Sequence, residues 1–141
     1  MLVRTYQTTS EEETIAAGRD FATLVVRPAV VLLTGDLGAG KTTFAKGIAN
    51  QLTGVPPEEV TSPTFTLIHE YAPDLLHLDL YRLEDRSDLA SLGIEDLLFE
   101  NNAVLIAEWG EPLRGLLPEA TFDVRLAVTS ENGRQIEIHR S

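Results

Sequence analysis

The feature of the sequence that most constrains the fold is a glycine-rich segment at residues 35–42. It fits the pattern G-x-x-x-x-G-K-[ST], and we refer to it below as the phosphate loop. The apolar run Ala29 to Thr34 before it predicts a buried strand, and apolar residues at helical spacing over 43–52 predict a helix after it. A strand-to-helix turn without a ligand is the plainer interpretation. The complete strand, loop and helix context favours an anion-binding loop instead.

The residues of this loop are suited to separate tasks. Its glycines allow the backbone to turn and to bring its N–H groups to a phosphate. Lys41 is expected to reach the β- and γ-phosphates of a nucleotide, and the hydroxyl of Thr42 is expected to bind Mg²⁺. The predicted nucleotide contacts are Gly35, Asp36, Leu37, Gly38, Ala39, Gly40, Lys41, Thr42 and Thr43.

Length and charge limit the remaining classes of function. A chain of 141 residues is long enough for one domain with its own core. The formal net charge of −11 argues against a protein that binds nucleic acid by itself, so a role on RNA would need a partner that supplies positive charge. The absence of cysteine excludes disulfides and cysteine-ligated zinc, and it fits a reducing cytosol. We expect no signal peptide at Met1 to Gln7 and no membrane span.

The rest of the chain predicts an alternation of strands and helices. An edge strand is expected over Leu2 to Tyr6, and Ser10 with Glu13 forms a capping box for a helix that reaches about Val26 before Pro28. Further strands are predicted at 66–71, 75–82 and 104–111, a helical region at 84–102, and a hairpin at 122–138 with a tight turn at Asn132-Gly133. The residues expected to face the core are Ile15, Phe21, Ala22 and Val25, then Leu89, Leu92, Ile94, Leu97, Leu98 and Phe99, and then Phe122, Val124, Leu126 and Val128.

These elements predict an α/β fold in a single domain over residues 1–141. We expect a three-layer sandwich of the P-loop NTPase type, with a mainly parallel sheet and antiparallel edge strands.

Two predicted strands end in carboxylates that could serve a metal ion. Glu108 follows the cleaner apolar run and is the first choice for a Mg²⁺ ligand. Asp79 shares one strand face with His77 and Tyr81, and it would lie behind the metal ligands or orient water. A strand-end aspartate that caps a turn is the alternative for Asp79.

The hydroxyl-rich segment 61–66 follows the first helix of the nucleotide site. Thr64 in this segment is a candidate sensor of the γ-phosphate, while local bonds from hydroxyls to the backbone are the alternative. Contacts to the adenine base are expected at Thr8 to Ser10, including Ser10 itself, and at the turn with Gly133, from where a base can lie beside such a loop.

Taken together, these segments resemble the TsaE (YjeE) family. The resemblance rests on the phosphate loop with Thr43, on Ser62-Pro63-Thr64-Phe65, on His77-Leu78-Asp79-Leu80-Tyr81-Arg82-Leu83, on Leu92-Gly93 and on Glu108-Trp109. It implies a cytoplasmic, weak ATPase that binds ATP and Mg²⁺ and acts with TsaD and TsaB in synthesis of threonylcarbamoyladenosine at position 37 of tRNA. It also implies that tRNA is reached only through that complex, that Thr42 and Glu108 hold the metal, and that 62–66 and Asp79 behave like switch regions.

Other enzymes and a binding module remain as alternatives. A GTPase is disfavoured because the chain has no Asn-Lys-x-Asp sequence. A small-molecule kinase could use Asp79 and Arg82 to position an acceptor, although the chain has little length for a lid. In a nucleotide-gated assembly subunit, hydrolysis would only reset the complex. Arg82 is also the nearest candidate for an arginine finger.

Overall fold

The structure, a computed structural model, describes residues 1–36, 38–60, 68–79, 94–108 and 122–140. Within these residues it contains seven strands and three α-helices. The strands are β1 Leu2–Thr8, β2 Ala29–Thr34, β3 Ile68–Ala72, β4 Leu75–Asp79, β5 Val104–Glu108, β6 Phe122–Val128 and β7 Arg134–Arg140. The helices are α1 Glu11–Ala22, α2 Lys41–Thr53 and α3 Ile94–Glu100, with a short 3-10 helix at Pro57–Glu59. None of the helices in these segments is long and apolar enough to cross a membrane.

All seven strands form one sheet, in the order β1-β7-β6-β2-β5-β4-β3. The four interior strands β6, β2, β5 and β4 are parallel neighbours, whereas β7, β1 and β3 are added by antiparallel pairing. The antiparallel edges are as predicted. The sheet as a whole is mixed rather than mainly parallel, because its six pairings divide equally between the two kinds.

The central strands are buried on both faces, as continuous apolar strands of an α/β sheet should be. On one face, α1 and α2 pack on residues such as Val31, Ile106 and Phe122 to form the main core. The alternate residues point to the other face and are buried as well, namely Val30, Leu32, Leu76, Leu78, Leu105 and Ala107. The described helices establish the layer over the first face of the expected sandwich.

Helices α1 and α2 meet through two glycines. A Cβ atom added at Gly18 would collide with the carbonyl oxygen of Phe44, and one added at Gly47 would collide with that of Ile15. The two backbones can therefore approach closely. Phe21 then packs against the Phe44 ring, with centroids 5.6 Å apart, and edge-on against Phe122 at 5.0 Å.

The ends of the helices partly match the prediction. Ser10 is the N-cap of α1, as expected, because its side chain accepts a hydrogen bond from the Glu13 N–H. The prediction that α1 reaches about Val26 is wrong. Thr23, Leu24 and Val25 donate to carbonyls three residues back, so the helix closes in a tighter turn after Ala22.

Two residues predicted to face the core are exposed. Phe99 on α3 is 57% exposed, and Val128 at the end of β6 is 53% exposed. Ile15 and Val25 are only half-buried. Leu89, Leu92 and the whole of the predicted helix before Ile94 lie outside the described residues, and so do the side chains of Ile94 and Leu97.

The predicted hairpin joins β6 and β7, but its turn is longer than a tight two-residue turn. The last paired residues are Val128 and Arg134, so residues 129–133 form the connection. The Thr129 N–H donates to the Gly133 carbonyl at 3.0 Å, and the Gly133 N–H donates to the Ser130 carbonyl at 3.3 Å. This turn lies at the same edge of the sheet as the end of β2, because β2 and β6 are parallel and Thr34 pairs with Arg125.

Candidate nucleotide-binding site

The phosphate loop connects β2 to α2 at the carboxyl edge of the parallel strands. Gly35, Gly38 and Gly40 have φ values of 149°, 83° and 96°, a region that favours glycine. A Cβ atom at Gly35 would also lie 2.5 Å from the carbonyl oxygen of Leu126 in β6. The turn therefore favours glycine at all three positions, and at Gly35 the close approach of a neighbouring strand also excludes a side chain. Leu37 lies outside the described residues.

Lys41 begins helix α2 and is only 5% exposed. Its ammonium group donates to the carbonyl of Gly35 at 2.6 Å and to that of Asp36 at 3.0 Å, so the side chain folds back over the loop. The N-terminus of α2 has no side-chain cap and no acidic residue in its first turn. The positive end of the helix dipole and the lysine charge therefore lie together, an arrangement that favours a bound anion.

Thr42 and Glu108 are in contact, although 66 residues separate them in the sequence. The Thr42 hydroxyl donates to the Glu108 carboxylate, with distances of 3.1 Å to Oε1 and 3.2 Å to Oε2. Glu108 is the last residue of β5 and is only 2% exposed. The parallel pairing of β2 with β5 brings it there, because Leu33 beside the start of the loop pairs with Glu108.

The two oxygen-bearing side chains fit Mg²⁺. This ion prefers oxygen ligands, and it is commonly bound by one or two carboxylates together with phosphate oxygens of the substrate. Thr42 and Glu108 would hold it next to the phosphate loop. Within the described residues, there is no group of three or more His, Asp or Glu side chains that could form an all-protein metal cage. A hydroxyl and a carboxylate together are suited to a metal ion that phosphate oxygens of a nucleotide help to bind.

A buried histidine lies behind Glu108. The Nε2 atom of His77 is 2.6 Å from Glu108 Oε2, and His77 has no exposed surface. On the other side of the imidazole, the Tyr71 hydroxyl is 3.4 Å from Nδ1. The sequence placed His77 on the same strand face as Asp79 but gave it no role.

Of the predicted site residues Thr64, Asp79 and Arg82, the structure describes only the backbone of Asp79. Asp79 ends β4, and its backbone pairs with Glu108, so the two predicted carboxylates come from adjacent strand ends. The Asp79 side chain, Thr64, Tyr81 and Arg82 lie outside what the structure describes.

The end of β1 and the start of α1 approach the phosphate loop. Thr8 and Thr14 share a buried hydrogen bond of 2.8 Å between their hydroxyl oxygens. A Cβ atom added at Gly40 would lie 3.8 Å from the methyl group of Thr14. Ser10, the predicted adenine contact, lies one turn before Thr14. Its hydroxyl oxygen accepts the N-cap hydrogen bond from the Glu13 N–H.

Arg134 is a residue of the site region that sequence reasoning missed. Its Nη1 atom donates to the carbonyl of Gly133 at 2.7 Å and is also within 3.3–3.4 Å of two other carbonyls of the same turn. Its Nη2 atom donates to the Gly38 carbonyl at 3.1 Å. The adenine contact at Gly133 stays a prediction, and the structure shows that the arginine next to it joins this hairpin to the phosphate loop.

Comparisons with known proteins agree on one family. The sequence model of the family described as threonylcarbamoyl adenosine biosynthesis protein TsaE matches residues 8–136. A tRNA threonylcarbamoyladenosine biosynthesis protein TsaE from Treponema pallidum is 38% identical, over 92% of this chain and 95% of its own length. Its counterpart of the same name from Bacillus subtilis is 37% identical, over 93% of this chain and 82% of its own length.

The fold supports the same assignment. The crystal structure of YdiB from Bacillus subtilis is similar with a TM-score of 0.76 and 30% sequence identity. The match covers 99% of this chain and 87% of YdiB. A family match over nearly the whole chain, together with relatives above one-third identity, shows that this chain belongs to the TsaE family.

Proposed function

We propose that this protein is a Mg²⁺-dependent ATPase subunit required for synthesis of N6-threonylcarbamoyladenosine at position 37 of tRNA. Family membership supports the pathway. The observation that supports the chemistry is the contact between Thr42 and Glu108 beside the buried ammonium group of Lys41. Such a constellation can hold both a triphosphate and the metal that accompanies it.

Lys41 and the loop N–H groups would bind the phosphates. In the described structure, the ammonium group donates to the carbonyls of Gly35 and Asp36. A β- or γ-phosphate oxygen would replace these neutral acceptors with charged ones, which form stronger hydrogen bonds. Residues 35–43 thus orient the triphosphate for attack in line with its leaving group.

Thr42 and Glu108 would hold Mg²⁺, which when bound neutralises charge on the β- and γ-phosphates. The hydroxyl and the carboxylate already face each other, so little rearrangement of the two side chains is required. Asp79, at the adjacent strand end, or Thr64 would orient the attacking water or sense the γ-phosphate.

Hydrolysis would depend on partner proteins similar to TsaD and TsaB. An arginine finger is worth roughly 10³ to 10⁵ in rate in nucleotide hydrolases. Arg82 is the nearest candidate for one in this sequence, and a partner could also supply it. With a net charge of −11, the chain would reach tRNA through the complex, in the cytoplasm, rather than bind it alone.

Turnover of ATP in the presence of the two partner proteins tests this proposal. Lys41→Ala and Glu108→Ala are each expected to reduce the rate by about 10²-fold or more, because each removes a preorganised charge next to the phosphates. Lys46→Ala is a matched control, since Lys46 lies on the same helix and its ammonium group is 3.8 Å from Glu11. Rates equal to wild type in both site variants would refute the assignment.

The same assay separates the alternatives. ADP that accumulates with a phosphorylated metabolite, and without free phosphate, would identify a small-molecule kinase. A variant that binds ATP but does not hydrolyse it, and yet supports repeated rounds of tRNA modification, would identify a nucleotide-gated assembly subunit.

A further inference from the structure

We propose that His77 is a positioning residue that orients the Glu108 carboxylate toward Thr42 and thereby sets the Mg²⁺ dependence of nucleotide binding. This inference rests on the proposed function, and it adds a residue to the metal site. It starts from the 2.6 Å contact between His77 Nε2 and Glu108 Oε2, in which neither side chain is more than 3% exposed.

The contact fixes the carboxylate from behind. Oε2 is bonded to His77 on one side, while both oxygens lie within 3.2 Å of the Thr42 hydroxyl on the other. If Thr42 and Glu108 held a metal ion, the Thr42 hydroxyl would use an oxygen lone pair for that ion. His77 would remain as a donor that holds the buried carboxylate in place, and such outer partners commonly orient metal ligands.

The surroundings of the imidazole select its tautomer. A carboxylate can only accept, so Nε2 carries the proton that is donated to Glu108. Nδ1 is then free to accept from the Tyr71 hydroxyl, 3.4 Å away. Tyr71 is in turn stacked on His69 at 4.8 Å between ring centroids.

Packing alone does not explain a histidine at this position. Leu75 and Ile106 lie on the same face of the sheet as His77, and both are apolar and fully buried. A buried polar ring among them costs free energy unless its nitrogens are used. The hydrogen bond from Nε2 to the Glu108 carboxylate offsets this cost.

The test compares the affinity of the protein for ADP in Mg²⁺ and in EDTA, measured by calorimetry. In His77→Gln the amide nitrogen reaches the place of Nε2, so the ratio of the two affinities should match wild type. In His77→Asn the amide nitrogen reaches only the place of Nδ1, and His77→Leu has no such nitrogen. The Asn and Leu variants should each lower the ratio of the two affinities by about 10-fold or more, as loss of a partner behind a metal ligand commonly does. Affinity in EDTA should stay unchanged in all three.

Tyr71→Phe provides a second variant that removes only one hydroxyl. It should lower the ratio by about twofold to threefold, the size of one long neutral hydrogen bond. A wild-type ratio of the two affinities in His77→Asn would overturn the inference. An equal loss of ADP affinity in Mg²⁺ and in EDTA in the His77 variants would also overturn it, because such a loss indicates a purely structural role. Wild-type protein that fails to bind ADP at all would instead overturn the proposed function.

Discussion

One arginine connects two parts of the site that are 96 residues apart in sequence. Arg134 donates to carbonyls of its own turn and, through the second terminal nitrogen, to Gly38 of the phosphate loop. The planar guanidinium suits this double role because its donors point in fixed directions. Its hydrogen bond to the loop makes the hairpin part of the candidate nucleotide site.

We expect Arg134→Ala to lower the affinity for ATP by about threefold to tenfold, because the loss of its hydrogen bonds, each worth about 1 kcal/mol, loosens the phosphate loop. Arg134→Lys should recover little, since an ammonium group cannot form both bonds in the same geometry. Titration calorimetry with a non-hydrolysable ATP analogue measures the effect.

The control for this variant is Arg140→Ala, at the other end of β7, where the guanidinium lies 4.9 Å from the centre of the Phe122 ring. An equal loss of affinity in both variants would show that Arg134 acts through general stability and not through the phosphate loop.

Individual residues differed in how far the sequence could predict them. Lys41, Thr42 and Glu108 could be proposed from the sequence because each lies at a recognisable position, at the start of a helix or at the end of a strand. His77 and Arg134 were not, since their significance comes from partners that only the sheet brings close. The residue type and the local sequence pattern gave no indication of a role for His77 or Arg134.

At the scale of elements, the contact between α1 and α2 fixes the position of the helix that follows the phosphate loop. Gly18 and Gly47 face each other, with Cα atoms of one helix against the backbone of the other. The spacing of α2 from α1 is therefore set by the absence of two side chains. Any group added there would move the helix that carries Lys41.

Gly47→Ala tests this contact. Alanine is the better helix former by about 1 kcal/mol, so an uncrowded site would gain stability. Because the new methyl group would meet the Ile15 carbonyl, we expect the free energy of unfolding to fall instead, by about 1–3 kcal/mol. Urea denaturation measures the change.

Ala16→Gly, at an exposed position of α1, gives the size of the helix-propensity effect alone and should cost about 1 kcal/mol. A Gly47→Ala protein more stable than wild type would contradict the close-contact interpretation.

The elements themselves were largely predictable, and their order in the sheet was not. The apolar runs of β2 and β5, the capping box of α1 and the alternation of β6 and β7 identify strands and helices locally. The neighbours of β6, which pairs with β2 on one side and β7 on the other, depend on contacts across the whole chain. The turn at 129–133 also differs from a two-residue turn because pairing stops at Val128.

The charge of the whole molecule carries a further prediction. With 22 acidic and 11 basic residues, the isolated chain should bind tRNA weakly or not at all at physiological salt, because phosphates repel an acidic surface. Fluorescence anisotropy with labelled tRNA, at low and at physiological salt, measures this. Tight binding by the isolated chain that weakens steeply with added salt would contradict the prediction.

The pairing of β1 with β7 has a consequence for the order in which these elements can fold during synthesis. Among the described strands, β1 is hydrogen-bonded only to β7, and the Met1 and Arg140 backbones bond to each other at 2.9–3.0 Å. β1 therefore stays unpaired until β7 has been synthesised, and the hairpin that carries Arg134 also forms late. A nascent chain that already contains the complete phosphate loop still lacks the elements that flank it, so the proposed nucleotide site would be completed only after β7 has emerged.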